Sequence, residues 1–581
     1  MGLSLVAFDT DHIKQYVFGT NKLKEIRGAS SRLDYLNRIV MEELANGYHA
    51  EKLYAHGGSG LFLINTEHVD TFKAQVQQAY HNDTGGGASI TAVDLPVPEH
   101  IKDIRKDDIS DLLALLQWRL QEEKVRSTAI LALPSHPFMR PCDACGVEYV
   151  DATMENEKVV HDPDEVNERY CSACKQKRLR DSNVKDFIAV FEAGRGNDYD
   201  DPLWYKVIDR LRAMDYDLQP LTERPTDFNV FRNFKGSKDY LALVYADANN
   251  MGSALEQYTT LDSRQTFAET IDDAVYEAVC TAIKRHLKIN DHLKAREQRS
   301  DDLKHPVFPF DILLMGGDDI CMVVPASVAL DVALTLSKTF YEETKKAHER
   351  NEIKSPHHTL SVGVVLAPVK YPFGLLQEMA ETTLKFAKKE GADARAHASN
   401  TNTAIDDTRI NFMIVTGTTT PNFKLFHNTV YHKQDNEKRQ EFFATLRPYK
   451  PDELHILLKT IRGKDSANLG RTKLHQIREA VLKLNLTTSV SDGLSVLHKW
   501  RDKQRNHVVH QVYEFAGKHQ MQYSNPDDPV SGFPLVIFPW FKYDTKIHNN
   551  HEYTIYRTSL LDFIELYDFI SRDEGTNDEE N

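Results

Sequence analysis

Residues 310–324 read Phe-Asp-Ile-Leu-Leu-Met-Gly-Gly-Asp-Asp-Ile-Cys-Met-Val-Val, two apolar runs on either side of a Gly-Gly-Asp-Asp turn. Short apolar runs joined by a tight glycine-containing turn predict a β-hairpin. Apolar periodicity on both sides of the hairpin predicts, in chain order, a strand at 241–246, a helix at about 263–289, the hairpin strands 310–315 and 320–324, a helix at 326–349, a strand at 360–366 and a helix at 373–390. This βαββαβ order with a trailing helix is the ferredoxin-like split βαβ arrangement.

A weaker copy of the same order begins at the N-terminus. Its predicted elements are a strand at 3–8 that ends at Asp9, a helix at 31–46, strands at 52–56 and 61–64, a helix at 67–81 and a strand at 88–95. The turn between its middle strands is Gly57-Gly58-Ser59-Gly60, so Ser59 and Gly60 replace the two acids of the other hairpin. The pattern predicts an internal repeat whose first copy is structural or regulatory.

Three acids form the candidate chemical centre. Asp247 ends the first strand of the second copy, and Asp318 and Asp319 lie in its hairpin turn. Because that strand and the hairpin are neighbours in a split βαβ sheet, the acids are expected at one sheet edge. Clustered carboxylates repel one another and need a hard cation, Mg²⁺ or Mn²⁺, which suits two-metal phosphoryl transfer. The alternative is an ordinary hairpin turn, in which these residue types are common.

Other residues around the acids suit a nucleotide. Glycines at 316 and 317 leave room for a triphosphate, and the polar turn after the first strand can offer backbone NH groups to phosphate. Lys385 and Lys388 lie on the helix after the last strand, where the alternative is a solvated helix face. The predicted nucleotide-binding residues are Asn249, Asn250, Gly252, Ser253, Gly316, Gly317, Lys385 and Lys388.

Four of the six cysteines form two C-x-x-C pairs with 25 residues between them. Two such pairs suit one tetrahedral Zn²⁺, and four protein ligands leave no open position for water, so the predicted site is structural. Disulfides or free thiols are the alternatives. The predicted zinc ligands are Cys142, Cys145, Cys171 and Cys174; Cys280 and Cys321 lie in apolar runs and are predicted to be buried.

Composition limits the class of protein. The chain has 581 residues, 41% hydrophobic and 27% charged, with 71 basic and 86 acidic residues and a formal net charge of −15. This balance excludes a uniformly basic nucleic-acid coat, although a local basic groove stays possible. Without an apolar run of about 18–20 residues or a signal peptide, no membrane association and a cytoplasmic location are expected. After residue 400 the pattern is mostly helical, apart from an aromatic extended segment at 533–541 and an acidic, disordered tail at 573–581.

The motifs together resemble a known family, the large subunit of type III CRISPR effector complexes (CRISPR-associated protein ten, the CRISPR polymerase). The motifs that carry the resemblance are Asp247-Ala248-Asn249-Asn250-Met251-Gly252, Gly316-Gly317-Asp318-Asp319, Ser361-Val362-Gly363 and Lys370-Tyr371-Pro372, together with the degenerate first copy and the cysteine quartet. The resemblance implies an α+β protein with two ferredoxin-like palm domains of the nucleotidyl-cyclase type. The implied organisation is a degenerate first palm (1–135), a zinc-binding and linker region (136–235), a catalytic second palm (236–400), a mostly helical C-terminal domain (401–572) and the tail (573–581).

The resemblance also implies an activity. Family members join ATP into cyclic oligoadenylates with release of pyrophosphate, switched on when a guide-RNA complex pairs with target RNA, and the messenger activates an effector protein. Carried over, Asp247, Asp318 and Asp319 bind the metal ions, with help from the backbone of Ala248. Many members begin with an HD nuclease domain; the one His-Asp dipeptide here is His161-Asp162, followed by proline, so no HD nuclease is expected. Two alternatives stay open, a stand-alone cyclic dinucleotide synthase and a non-catalytic nucleotide- or RNA-binding scaffold; a homo-oligomer also stays open.

Overall fold

The structure is a computed structural model. It describes residues 2–127, 139–151, 168–184, 202–234 apart from 219–221, 223 and 226, 238–289, 306–399 apart from 357, 407–415, 422–463, 469–523, 536–548 and 551–570. The His161-Asp162 dipeptide, the tail at 573–581 and the first residues of the 533–541 segment lie outside the described residues.

The first palm is a four-stranded antiparallel sheet with the strand order β2-β3-β1-β4. Its strands are β1 (Leu3–Thr10), β2 (Glu51–His56), β3 (Ser59–Asn65) and β4 (Ile90–Pro96). Its helices are α1 (Ile13–Phe18), α2 (Leu23–Tyr35), α3 (Met41–Gly47), α4 (Val69–Thr84) and α5 (Ser110–Ser127), with a π-helical segment at Leu36–Val40 and a 3-10 turn at Thr66–His68. The predicted strands are all present, and the predicted helix at 31–46 is longer and begins earlier.

The described residues between the palms include the helices α6 (Ser172–Val184) and α7 (Pro202–Ala213) and a 3-10 segment at Phe228–Asn233. Helix α6 begins directly after Cys171 and packs closely on α2. A Cβ added at Gly28 of α2 would lie 1.8 Å from the carbonyl oxygen of Lys177, so this helix contact requires a glycine.

The second palm repeats the strand order and extends it by one strand, β6-β7-β5-β8-β9. Its strands are β5 (Tyr240–Ala248), β6 (Asp311–Gly316), β7 (Asp319–Pro325), β8 (Leu360–Pro368) and β9 (Ile410–Ile414). Its helices are α8 (Met251–Leu255), α9 (Leu261–His286), α10 (Ala329–Glu349) and α11 (Phe373–Ser399). The predicted βαββαβ order with its trailing helix is confirmed. The prediction did not include β9, which pairs parallel with β8.

The C-terminal region contains several helices, as expected, although the helix predicted at 492–517 is divided into two; it also contains a sheet that the sequence prediction missed. Its helices are α12 (Phe423–Phe426), α13 (Pro451–Arg462), α14 (Arg471–Val481), α15 (Leu486–His498), α16 (Asp502–Tyr523) and α17 (Leu560–Leu566), with a π-helical segment at His427–Tyr431. Its strands are β10 (His432–Asp435), β11 (Gln440–Phe443), β12 (Val536–Ile537), β13 (Trp540–His548) and β14 (His551–Arg557), in the order β10-β11-β14-β13-β12. The expectation of a mostly helical domain is therefore incomplete.

One continuous hydrophobic core joins the palms to the C-terminal region. It runs from Val6 and Phe8 in β1 through the strands of the second palm to Leu560 and Phe563 in α17. Cys280 and Cys321 are fully buried in it, as predicted. Within the described part of the chain, none of the helices has the length and apolar content that a membrane crossing requires.

Candidate active site between the two palms

The candidate acids lie at one edge of the second-palm sheet because of strand register. Asp247, the second-last residue of β5, pairs directly with Asp319, the first residue of β7. Asp318 lies in the turn before it, where Gly317 adopts a φ of 63°, a left-handed conformation that favours glycine. The hairpin therefore presents Asp318 and Asp319 beside the end of the strand that carries Asp247.

The hairpins of the two palms meet at their glycines. A Cβ added at Gly316 would lie 2.8 Å from the Cα of Gly57. Gly57 itself has a φ of 62°. Two backbones approach this closely only where neither carries a side chain, so these glycines allow the degenerate hairpin to lie against the acidic one.

Burial and mutual repulsion disfavour full ionisation of the acids. Burial raises the pKa of Asp318, and the negative charges of Asp247 and Asp319 raise it further. Burial, and then the charge of Asp247, raises the pKa of Asp319 to about 6, against the opposing effect of Lys14 and Lys388. Carboxylates that are hard to ionise together are stabilised by a bound cation, and oxygen ligands of this kind suit Mg²⁺ or Mn²⁺.

The two predicted lysines of α11 lie in different places. Lys388 donates from Nζ to Asp247 Oδ2 at 2.6 Å and to the carbonyl oxygen of Ala248 at 2.9 Å. Lys385 is 70% exposed and pairs with Glu381 at 2.8 Å. Lys388 therefore contacts the acidic cluster directly, whereas Lys385 is paired with Glu381 on the exposed side of α11.

The polar turn after β5 divides in the same way. The side-chain amide of Asn249 is buried and donates to Thr359 Oγ1 at 2.9 Å. This hydrogen bond joins the turn to the residue directly before β8. Asn250 has a φ of 59° and begins α8, while Gly252 and Ser253 are exposed. Of these predicted residues, Asn250, Gly252 and Ser253 are exposed, whereas the backbone NH and the side-chain amide of Asn249 are both bonded to Thr359.

A cavity of about 450 Å³ opens beside the hairpin, a volume in the range of small-molecule sites. The second palm contributes Leu255, Leu261, Arg264 and the hairpin residues 316–319, and the first palm contributes Asp9, Tyr54 and the glutamines of α5. The space is thus shared between palms. Arg264 is oriented by a hydrogen bond from its Nε to the carbonyl oxygen of Tyr258, 2.7 Å away.

The first palm keeps part of the same arrangement. Asp9 pairs in register with Ser59, as Asp247 pairs with Asp319. Lys124 on α5 lies 2.6 Å from Asp9 Oδ2, and its Nζ is 3.5 Å from the carbonyl oxygen of Thr10. A strand-end acid with a lysine partner is therefore common to both palms.

The four predicted zinc ligands come together. The Sγ atoms of Cys142, Cys145, Cys171 and Cys174 all lie within 4.8 Å of one another, and the cysteines form no disulfide. With Zn–S bonds of about 2.3 Å, tetrahedral sulfurs lie about 3.8 Å apart, so the cluster could hold zinc. An antiparallel bridge between Pro141 and Tyr149 shapes the first knuckle, and the start of α6 shapes the second.

A buried ionic network connects the four-cysteine region to the acidic hairpin. Arg27 of α2 contacts Asp181 of α6 and donates to Asp311, the first residue of β6, at 3.0 Å. Arg224 donates to the other oxygen of Asp311 at 2.8 Å. Since Arg27 and Asp311 are fully buried, each charge depends on its partners.

Sequence reasoning missed the contributions of the first palm to this site. Asp9, Lys14, Tyr54 and Lys124 approach it only because the two palms meet hairpin to hairpin. No local pattern reports that contact.

These features define a palm-type domain with an acidic edge. Residues 240–396 match the family model described as Cas10/Cmr2, second palm domain, so this part of the chain is similar to that domain. The resemblance predicted from the sequence is confirmed.

Solved structures with a similar fold include a Csm1–Csm4 cassette in complex with AMPPNP (TM-score 0.49, 12% identity, covering 86% of this chain and 65% of that chain). Another is the Csm1–Csm4 subcomplex of the type III-A CRISPR-Csm interference complex (TM-score 0.47, 13% identity, covering 85% and 65%). The chain thus spans less than two thirds of the length of these chains. A comparison with curated proteins gives no significant match.

Proposed function

We propose that this protein is a Mg²⁺- or Mn²⁺-dependent nucleotidyltransferase that makes cyclic oligoadenylates from ATP. The observation that carries the proposal is the meeting of Asp247, Asp318 and Asp319 at one sheet edge, beside a cavity of about 450 Å³. A site that had lost its activity would have no use for three clustered acids, two of which, Asp318 and Asp319, have a raised pKa. The first palm, with Ser59 in place of an acid, shows how such a site looks without them.

The proposed reaction is attack of a ribose hydroxyl on the α-phosphorus of a second ATP. A P–O bond forms, the bond to the bridging oxygen breaks, the hydroxyl loses its proton and pyrophosphate leaves. Divalent cations on the three carboxylates would supply charge for the hydroxyl and for the pyrophosphate. Gly316 and Gly317 leave the hairpin bare for the triphosphate, and Lys388 is placed to neutralise phosphate once cations hold Asp247.

The family match supports a setting for this activity. The match of residues 240–396 to the Cas10/Cmr2 second palm domain favours a type III CRISPR effector complex, with guide-RNA subunits and target RNA as partners and a messenger-activated effector downstream. The four-cysteine cluster is proposed to hold structural Zn²⁺. No HD nuclease activity is proposed.

The test is incubation of the purified protein with Mg²⁺ and labelled ATP, alone and with guide-RNA complexes and their target RNA. Cyclic oligoadenylate formed only with the complex supports the proposal, and full-rate synthesis of a cyclic dinucleotide by the isolated protein supports the stand-alone alternative. ATP binding without product under every activator would support the scaffold. The double variant Asp318→Ala, Asp319→Ala should lose product while keeping its zinc content, and unaltered synthesis would refute the site.

A further inference from the structure

A lysine of the first palm reaches the catalytic edge of the second. Lys14 lies in α1, immediately after the strand that carries Asp9. Its Nζ is 3.3 Å from Glu381 Oε1 on α11 and 5.2 Å from the ring centroid of Tyr245, two residues before Asp247. The first palm therefore places a positive charge next to the strand that carries a predicted metal ligand.

Contacts on the same side of the first palm define this position. The rings of Phe18 and Phe373 lie 5.8 Å apart, and the backbone NH of Gly374 donates to Asn21 Oδ1 at 3.0 Å. Both contacts join the segment after β1 to the start of α11. Lys14 is thus held at the palm–palm contact by packing that does not depend on its own ion pair.

Glu381 has other partners besides Lys14, so it does not depend on the ion pair with Lys14. Glu381 also receives Lys385 at 2.8 Å, and Gln377 donates to its other oxygen at 3.2 Å. The Lys14 side chain is 46% exposed, so the pair with Glu381 is a weak surface interaction. When Lys14 turns toward another anion, Glu381 keeps a charged partner.

Lys14 and the hairpin face a common space. A second, smaller cavity of about 120 Å³ is lined by Lys14, Gly57 and Gly58 from the first palm and by Gly316 and Asp319 from the second. Asp319 feels the positive charge of both Lys14 and Lys388, one from each palm. An anion that enters at the glycine contact therefore meets a lysine of the first palm.

We propose that Lys14 binds a phosphate group of the reacting nucleotide and is a catalytic residue supplied by the first palm. The proposal rests on the nucleotidyltransferase function above, and it assigns the degenerate palm a chemical role. A lysine acts on phosphate as a point charge. A cation supplied from a neighbouring domain can raise the rate of phosphoryl transfer by orders of magnitude.

The experiment compares Lys14→Met with Lys14→Arg and with Lys52→Met. Lys52 is a first-palm lysine of similar exposure, paired with Glu42 on the surface. Binding of inorganic tripolyphosphate with Mg²⁺ is measured by calorimetry, and product formation is measured with the activator that works for the wild type. Lys14→Met is expected to bind tripolyphosphate about tenfold more weakly and to lower the turnover number by about 100-fold. Lys14→Arg should recover part of both, and Lys52→Met should match the wild type.

A further variant separates a chemical from a structural role. Glu381→Gln removes the ion pair of Lys14 but leaves its charge, so tripolyphosphate binding should stay within about threefold of wild type. If Glu381→Gln weakens binding as much as Lys14→Met, or if Lys14→Met behaves like Lys52→Met, the proposal is overturned. If the wild type makes no product but Lys14→Met still weakens tripolyphosphate binding, the nucleotidyltransferase function fails and the phosphate contact stands.

Discussion

The two palms of this protein differ at the hairpin and agree almost everywhere else. Both sheets have the hairpin strands beside the first strand, and both place a lysine 2.6 Å from the acid that ends that strand. In the second palm the acid faces Asp319 across the register, whereas in the first it faces Ser59, whose hydroxyl lies 3.3 Å from Asp9 Oδ1. The first edge thus lacks both hairpin acids: Ser59 takes the place of Asp319, and the residue before it, where the second palm has Asp318, is Gly58 and not the Gly60 that the sequence predicted.

The comparison shows how charge decides what each edge can bind. In the first palm Lys124 contacts Asp9 and lies 3.6 Å from Asp11, and hydroxyls of Ser89 and Thr91 donate to Asp11. These carboxylates are satisfied by protein groups. In the second palm two lysines, Lys14 and Lys388, face three acids, and the remaining negative charge favours further cations. The first edge is therefore closed by its own side chains, and the second is open to metal.

The largest expected difference between the palms is in turnover. Asp247→Asn removes a predicted metal ligand and should lower product formation at least about 100-fold. The reason is that the variant loses a cation that stabilises the negative charge of the transition state. Asp9→Asn, the matched change in the first palm, should stay within about threefold. Rates of cyclic oligoadenylate synthesis at saturating Mg²⁺ measure both. Equal losses in the two variants would mean that both palms carry the chemistry.

Zinc should also distinguish the palms, since α6 packs on α2 of the first palm. Cys174→Ser should lose the metal and lower the free energy of unfolding by several kcal/mol, because a structural zinc site contributes folding energy. Hydrogen exchange should rise in α2 (Leu23–Tyr35) more than in β5 (Tyr240–Ala248). The smaller rise in the second palm is expected because Arg27 of α2 is paired with Asp311 of β6. A chelator added to the variant should change nothing further. Equal exchange in α2 and β5 would contradict this dependence.

Mg²⁺ binding should depend on pH in the second palm. The pKa of Asp319 is raised to about 6, above the ordinary value near 3.9 of an unfolded chain. Without metal, the folded protein keeps a proton that the unfolded chain releases, so stability falls as pH rises from about 4 to 6. Mg²⁺ must displace that proton, and its affinity should fall about tenfold per pH unit below 6.

Titration calorimetry at pH 5, 6 and 8 measures this dependence. Asp9→Asn should show the wild-type profile, whereas Asp319→Asn should bind Mg²⁺ weakly with a flatter profile. An affinity that is constant across this range in the wild type would contradict the assignment of Asp319 as a ligand.

The sequence predicts the second palm well because its signals are local. The apolar runs on either side of Gly316 and Gly317, and the position of Asp247 at a strand end, predict both the hairpin and the meeting of the acids. The cysteine pairs likewise predict their own cluster. Strand β9 and the C-terminal sheet were missed because their pairing joins distant segments: β11 pairs parallel with β14, more than 100 residues later. The roles of Lys14 and Lys124 depend on the contact between palms, which no periodicity encodes.

The smallest expected difference concerns the paired lysines. Lys124→Met leaves Asp9 without its cation, and Lys388→Met does the same to Asp247; each pair is about one-quarter to one-third exposed. Without metal, each variant should lose about 1 kcal/mol in the free energy of unfolding. Added Mg²⁺ should restore stability in Lys388→Met, because the cation occupies the edge that the lysine has left, and should not restore it in Lys124→Met. Thermal unfolding with and without Mg²⁺ measures both variants. If Mg²⁺ restored the stability of Lys124→Met, the first palm would still be able to bind metal. Lys124, rather than the loss of the hairpin acids, would then be what keeps metal from the edge of the first palm.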